Sequence, residues 1–226
     1  AAASVDEQTG EIKSKASAAL FLTEWGTFLR EPKNDELAML AALYDNTNYE
    51  AVTIKRGKDF AENPYIVIVA ACTPNWFAEG FRPNDYEQGL PTRILMIFSD
   101  AIKERKPFSF GAAKQVGAFS KVAAQFQAPF DRLGRVEGYI GWAEDAGTWY
   151  NDMWLKGFPP EPKEPLLSGY CGRRHLHVAK LAVLFALARD PGAKIIGISD
   201  VKRAWETLRE AEPDMPKALV AAGGNV

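Results

Sequence analysis

Cysteine and histidine are both scarce in this chain, with two of each among its 226 residues. So few cysteines exclude a disulfide framework, and Cys72 lies inside an apolar run where a structural bridge is not expected. That usage fits a reducing compartment, and a cytoplasmic location is the expectation. Cys72 stands far in sequence from Cys171, His175 and His177, and no ligand spacing recurs, so no metal site is expected. Long apolar runs are missing too. The longest, Leu181–Ala188, falls far short of the roughly 20 residues a membrane helix needs. Charge of one sign is also lacking: the net charge of -2 means that any nucleic-acid contact has to come from a local patch. The first residues, AAASVDEQTGEIKSK, are polar and acidic and carry no apolar stretch of a signal peptide. A chain that begins at Ala1 rather than Met is expected to be a piece of something longer.

What is present is the composition of a globular protein, 47% hydrophobic and 25% charged. The most telling stretch is Tyr65–Cys72, YIVIVAAC, bracketed by Asn63-Pro64 and Thr73-Pro74. It is too short for a typical helix and rich in Val and Ile, which predicts a strand buried on both faces at the centre of a parallel sheet. Ala18–Thr23 and Ile94–Phe98 are expected to lie beside it. Asn34 is placed to cap a helix through Leu37, Leu40 and Tyr44, and Asp45-Asn46-Thr47-Asn48 stops it. Tyr49–Ile54 followed by Lys55-Arg56-Gly57-Lys58 predicts a hairpin with a basic tip. Residues 1–17 read as a helix remnant or a loose lead-in. Beyond residue 100 the pattern turns helical: 111–127, ended by Pro129, then Ala143–Leu155, Arg173–Arg189 and Asp200–Ala211, the last capped by Ser199. Lys194–Ile198 could form a short strand. The fold class expected is α/β, a partial parallel-sheet core followed by a helical domain. Its predicted divisions are a sheet-bearing segment 1–100, connecting helices 101–157, a proline-rich linker 158–167 and a helical lid 168–226.

Three polar residues stand at the edges of the apolar runs, Glu24 and Thr73 after theirs and Arg93 before its own. Glu24 at a strand end could orient water or hold Mg²⁺ in phosphoryl transfer, or merely cap the next element. Thr73 could sense a phosphate, although capping the following helix suits threonine equally well. Arg93 could reach a phosphate on a neighbouring subunit, or form a surface ion pair. Lys55, Arg56 and Lys58 suit the backbone of a single strand, or a solvated turn. Arg173 and Arg174, placed at a helix start, oppose its dipole, so a carboxylate or phosphate nearby is expected to account for them. His175 and His177 fall on different faces and are read as packing or surface residues. The cluster of Trp142, Trp149, Tyr150 and Trp154 is read as core.

Six segments, taken in order, resemble the helicase-type P-loop ATPases of phages, plasmids and other mobile elements, which have a RecA/AAA-like core. They are FLTEWGTFLR, LAALYDNTNYEAVTIKRGK, NPYIVIVAACTPNWF, EQGLPTRILMIF, GYCGRRHLHVAKLAVLFALAR and ISDVKRAWETLREAEPDMP. The resemblance spans about residues 18 to 216 and matches the C-terminal half of that core. It implies Glu24 as the water-activating acid, Thr73 as a phosphate sensor and Arg93 as an arginine finger acting across a homo-oligomeric ring. It also implies Arg173 or Arg174 as a lid-borne phosphate contact, and Lys55, Arg56 and Lys58 as contacts to single-stranded DNA in replication. ATP and Mg²⁺ are the implied cofactors of the complete protein. One departure is large: no G-x-x-x-x-G-K-[ST] loop occurs anywhere in the 226 residues. In the family that loop precedes the acid-bearing strand, so this segment alone is expected not to hydrolyse ATP. The alternative expectation is a non-catalytic DNA-binding or ring-assembly scaffold. A metabolic enzyme finds no support, because there is no nucleophile elbow and no dinucleotide fingerprint.

Overall fold

The computed structural model describes residues 2–5, 12–25, 34–53, 57–81, 85–100, 112–136 and 138–223. The chain is a mixed α/β protein, mostly helical, with short sheets that include parallel pairs. It divides into two compact units, interleaved in sequence where the sequence pattern predicts consecutive segments. The first comprises Ala1–Ile97, Pro162–Arg173 and Asp214–Val226, and the second Phe98–Glu161 and Arg174–Pro213.

The first unit is built on a three-stranded sheet of β1 (Ala2–Val5), β2 (Ile12–Leu22) and β5 (Pro64–Ala70), with β2 in the middle. The lead-in is therefore a pair of antiparallel strands and not a helix remnant. As expected, β2 and β5 run parallel, from Ala16 opposite Pro64 to Leu22 opposite Ala70. The expectation that β5 is buried on both faces is corrected, because Tyr65, Val67 and Val69 are exposed, as is Phe21 on β2. These residues share one face by their period of two. The opposite face is where α1 (Asn34–Tyr44) packs against β5. Ile94–Phe98 is not a strand; a 3-10 turn, Leu90–Arg93, precedes it, and 94–100 runs without regular structure.

Helix α1 buries Leu37 and Leu40 and ends where Asn46 takes a left-handed φ of 58°, a conformation asparagine tolerates. The Asn46 amide then donates to the Pro64 carbonyl at 2.7 Å, tying the helix end to the start of β5. Next come the hairpin β3 (Tyr49–Thr53) and β4 (Gly57–Ala61), as predicted, with Thr53 paired to Gly57. Helices α2 (Pro74–Glu79) and α3 (Asp85–Gln88), with Phe81 after the first, bring together an aromatic trio. Phe77 and Phe81 meet edge-on at 5.0 Å, and Tyr86 completes the group at 6.0 and 6.5 Å.

In the second unit α4 spans Ala112–Leu133. Pro129 does not end it: the ring sits inside the last turns, where it costs one hydrogen bond without stopping the helix. Strand β6 (Gly141–Trp142) pairs in parallel with β7 (Ile195–Ile196). Helix α5 (Glu144–Leu155) packs on α7 (Ile198–Ala211), with the small residues Ala146 and Ala204 fully buried to allow close approach. Asp200, not Ser199, caps α7 by accepting from the Gly197 N–H at 3.0 Å. Helix α6 spans Ser168–Arg189, five residues longer at its start than predicted, and α8 (Met215–Gly223) belongs to the first unit.

Candidate functional site

Parallel pairing decides where Glu24 and Thr73 lie. Strands β2 and β5 end together, and two crossing hydrogen bonds carry the pairing past their ends. The Ala71 N–H donates to the Leu22 carbonyl at 3.0 Å, and the Trp25 N–H donates to the Ala71 carbonyl at 2.8 Å. Glu24 and Thr73 are thus both exposed at the carboxyl edge of the same strand pair, where α/β sites form. The Thr73 carbonyl accepts from the Phe77 N–H at 3.0 Å, so Thr73 also opens α2. Cys72, the residue before Thr73, is a free thiol pushed above its ordinary pKa by burial and then by the Glu24 carboxylate. The oxygen-only donor set of a carboxylate and a hydroxyl suits Mg²⁺, which takes one or two carboxylates with phosphate oxygens and water.

A second cluster of the same unit joins residues far apart in sequence. Arg93, at the end of the 3-10 turn, donates from Nη1 to the Gly89 carbonyl at 3.0 Å and from Nη2 to Asp45 Oδ2 at 2.5 Å. Its Nε lies 3.3 and 3.2 Å from the two Asp45 oxygens. Arg173 approaches the same carboxylate, Nη1 to Oδ1 at 3.4 Å. The turn is held against α6 by Gly169. A Cβ there would stand 2.4 Å from the Glu87 carbonyl, 2.5 Å from that of Tyr86 and 2.7 Å from Thr92 Cγ2. Only glycine allows this approach, which brings Arg173, one helical turn further on, to the carboxylate that Arg93 holds. Thr92 is buried and its hydroxyl donates to the Gly89 carbonyl at 2.9 Å, which fixes the turn from within.

Arg93 and Arg173, which the family resemblance assigns to separate contacts, therefore meet at one acid. Asp45 itself is not among the residues that the sequence pattern singles out, although one signal was there. An aspartate just past a helix C-terminus opposes the helix dipole and needs a cation to hold it. Next to it, burial and the Asp45 carboxylate push the Tyr44 hydroxyl up to about 12, against the opposing pull of Arg173 and Arg93.

Arg174 has a different part. All five of its N–H donors have acceptors: Nε and Nη2 grip Glu212 at 2.7 Å each, Nη1 meets the Gly157 and Phe158 carbonyls, and Nη2 meets that of Pro160. Its side chain is 1% exposed, and its guanidinium carbon lies 4.7 Å from the Trp205 ring centre. All of its donors are thus used within this unit, so of the two arginines named for a phosphate contact Arg174 is the one held inside the protein. Lys58 lies on β4 opposite Val52, while Lys55 and Arg56 lie outside the described residues. His177 is buried, and His175 stacks on Trp154 at 5.2 Å while its carbonyl accepts from the Tyr150 hydroxyl, so both are packing residues. Trp142 and Tyr150 pack at 5.0 Å, but they and Trp149 are only half-buried and Trp154 is half exposed, which corrects the reading of this cluster as core. Among the described residues no group of three His, Cys, Asp or Glu converges as a metal site, and no helix is long and apolar enough to cross a membrane. Compared with protein-family models, curated proteins and solved structures, the chain finds no match.

Three tyrosines set the alkaline limit of the fold. Burial raises Tyr44, Tyr86 and Tyr150 to about 12 from an ordinary 10.0. A raised folded-state pKa contributes stability that is whole below pH 10 and lost as pH climbs through 12. Denaturation midpoints are expected to hold flat to about pH 10 and to fall steeply above it. Tyrosinate absorbance is expected to appear together with unfolding, and Tyr150→Phe is expected to weaken the fall.

Proposed function

We propose that this chain is part of a helicase-type ATPase of a phage or mobile element and handles the phosphates of ATP during work on single-stranded DNA. The observation that supports this reading best is the parallel pairing of β2 and β5, which brings Glu24 and Thr73 to one carboxyl edge. Glu24 is the base that orients the attacking water, and Thr73 offers a hydroxyl to the transferred phosphoryl group. Mg²⁺, when bound, neutralises charge on the phosphate oxygens, with Glu24 as its protein ligand or as ligand to its water. Arg93 and Arg173 supply guanidiniums that compensate charge building on those oxygens. The basic hairpin of Lys55, Arg56 and Lys58 is the single-strand contact, and a homo-oligomeric ring is the setting in which Arg93 serves a neighbour. The reading requires a glycine-lysine phosphate loop from polypeptide beyond these 226 residues.

Glu24→Gln in a polypeptide that includes that loop tests the proposal. ATP affinity is expected to stay within about threefold, while turnover falls about 10²- to 10⁴-fold, the usual worth of a positioned base. Undiminished turnover removes Glu24 from the chemistry.

A second reading is a scaffold that binds DNA or builds a ring without using a nucleotide site of its own. It predicts single-strand binding indifferent to ATP, with log affinity falling by about 0.7 per phosphate contact for each tenfold rise in salt.

A further inference from the structure

Among the described residues two apolar faces have no covering layer, and they are of different kinds. One is on the sheet. The parallel register sets Ser17, Ala19 and Phe21 of β2 beside Tyr65, Val67 and Val69 of β5. All six are exposed, Phe21 by 76%, and none is charged. Helix α1 packs on the opposite face, whereas parallel strands occur almost only with helices on both. The other face is on α4. Val122, Phe126 and Phe130 recur every four residues and so form one stripe, 49%, 50% and 63% exposed. From Ser120 to Arg132 only Pro129 is even half-buried. The Phe126 and Phe130 rings meet at 6.0 Å along the stripe. A helix of this kind draws most of its stability from packing such a stripe on another element.

We propose that α4 of one copy of this chain packs on the β2–β5 face of a second copy, giving the parallel strands a helix on each side. The dimensions agree. Val122 to Phe130 is about 12 Å along a helix axis, and Tyr65 to Val69 is about 13 Å along a strand. Neither face carries a charge to desolvate. At about 200 Å² for a fully exposed aromatic side chain, the four rings withdraw roughly 500 Å² from water. The three valines, with Ala19 and Ala123 beside them, extend the contact towards the roughly 1,000 Å² at which specific association begins. Sheet face on sheet face is disfavoured, because it places a sheet where parallel strands take a helix. Since the two faces differ, the contact is heterologous, the class that builds a ring when its rotation closes. The ring of the phosphoryl-transfer reading needs a contact of this class, but the contact itself does not depend on a nucleotide.

The test is sedimentation of the 226-residue chain without nucleotide, across about 1 to 200 μM, where a contact of this size is expected to associate. The mean mass is expected to rise with concentration through a dimer and beyond. Val67→Glu puts a charge on the sheet face and Phe126→Glu puts one on the stripe. Each alone is expected to stay monomeric, with its circular dichroism unchanged. Mixed one to one, the two variants are expected to form a dimer and nothing larger. The Val67→Glu copy still offers its helix, the Phe126→Glu copy still offers its sheet face, and the two faces left over are both blocked. Val67→Thr keeps the shape and suits a strand, so it reports even if Val67→Glu does not fold; it is expected to weaken association at least about threefold. A chain that stays monomeric throughout overturns the proposal. So does association that only one of the two charged variants abolishes, which marks a contact between like faces, and so does a mixture of folded variants that stays monomeric. Because no nucleotide is present, each of these results leaves the phosphoryl-transfer reading standing, and that reading can fail at Glu24→Gln while the contact holds.

Discussion

Arg174→Ala is expected to destabilise the helical unit by about 3–5 kcal/mol, the usual cost of stripping one partner from a buried ion pair. The loss has three sources, all within that unit. Glu212, whose side chain is 8% exposed, loses its two-pronged guanidinium partner. The carbonyls of Gly157, Phe158 and Pro160 lose their donor. Trp205 loses the cation over its ring. The loop concerned is bent against preference, with φ of 72° at Gly157 and 52° at Phe158, the latter a left-handed conformation that a phenylalanine adopts only when held. Phe158 is 1% exposed between Tyr150 and Trp205, so release of the loop also loosens the aromatic core. Arg174→Lys is expected to fare little better, because an ammonium cannot reach five acceptors in a plane. Arg174→Met combined with Glu212→Leu should recover part of the loss by removing both charges. Urea denaturation followed by circular dichroism measures the series. A shift below about 1 kcal/mol for Arg174→Ala would show that the network is not what holds this unit.

Arg93→Ala, in a polypeptide that includes the phosphate loop, is expected to bind ATP with near-normal affinity and to lose about 10³-fold or more of its turnover. The expectation follows from where the guanidinium is held. Its Nη1 is fixed by the Gly89 carbonyl and its remaining fork is aimed at an acid, so the side chain is set in place without a ligand. Arg93→Lys should be as inactive, since a point charge replaces a bidentate fork. Because Arg93 serves a neighbouring subunit in this reading, mixing Arg93→Ala with Glu24→Gln subunits is expected to restore turnover at the interfaces where both native residues meet. Unchanged turnover in Arg93→Ala takes Arg93 out of the site. Loss of turnover with no rescue on mixing places it in the same subunit as the nucleotide it serves.

Much of the local structure was legible because it depends on neighbours in sequence. The Val/Ile run of β5, its partner β2, the hairpin 49–61, and the helices opening near Asn34, Pro74 and Glu144 follow from periodicity and from Pro and Asn at their ends. Legibility failed where a pattern was right but its surroundings were not. Ile94–Phe98 has the composition of a strand, yet a strand needs a pairing neighbour, and nothing in five apolar residues says whether one exists. The apolar run of β5 fits burial on two faces, while the face bearing Tyr65, Val67 and Val69 is exposed. Pro129 is a helix breaker by propensity and sits inside a helix.

The site divides in the same way. Glu24 and Thr73 stand out in the sequence because each follows an apolar run, and a strand end is a local property; Arg93 stands out because it precedes an apolar run, though that run forms no strand. What only the tertiary structure decided is how the arginines are used. Arg173 and Arg174 are adjacent, equally charged and alike in any one-dimensional pattern. A helix turns about 100° per residue, so neighbours point to different environments. One reaches Asp45, 128 positions away in sequence, and the other is enclosed by Glu212 and three carbonyls. The sequence by itself determined that two adjacent cations stand on one amphipathic helix, whose true start at Ser168 places them past the first turn. Long-range packing, through the approach that Gly169 permits, decided which of them reaches Asp45 and which is enclosed.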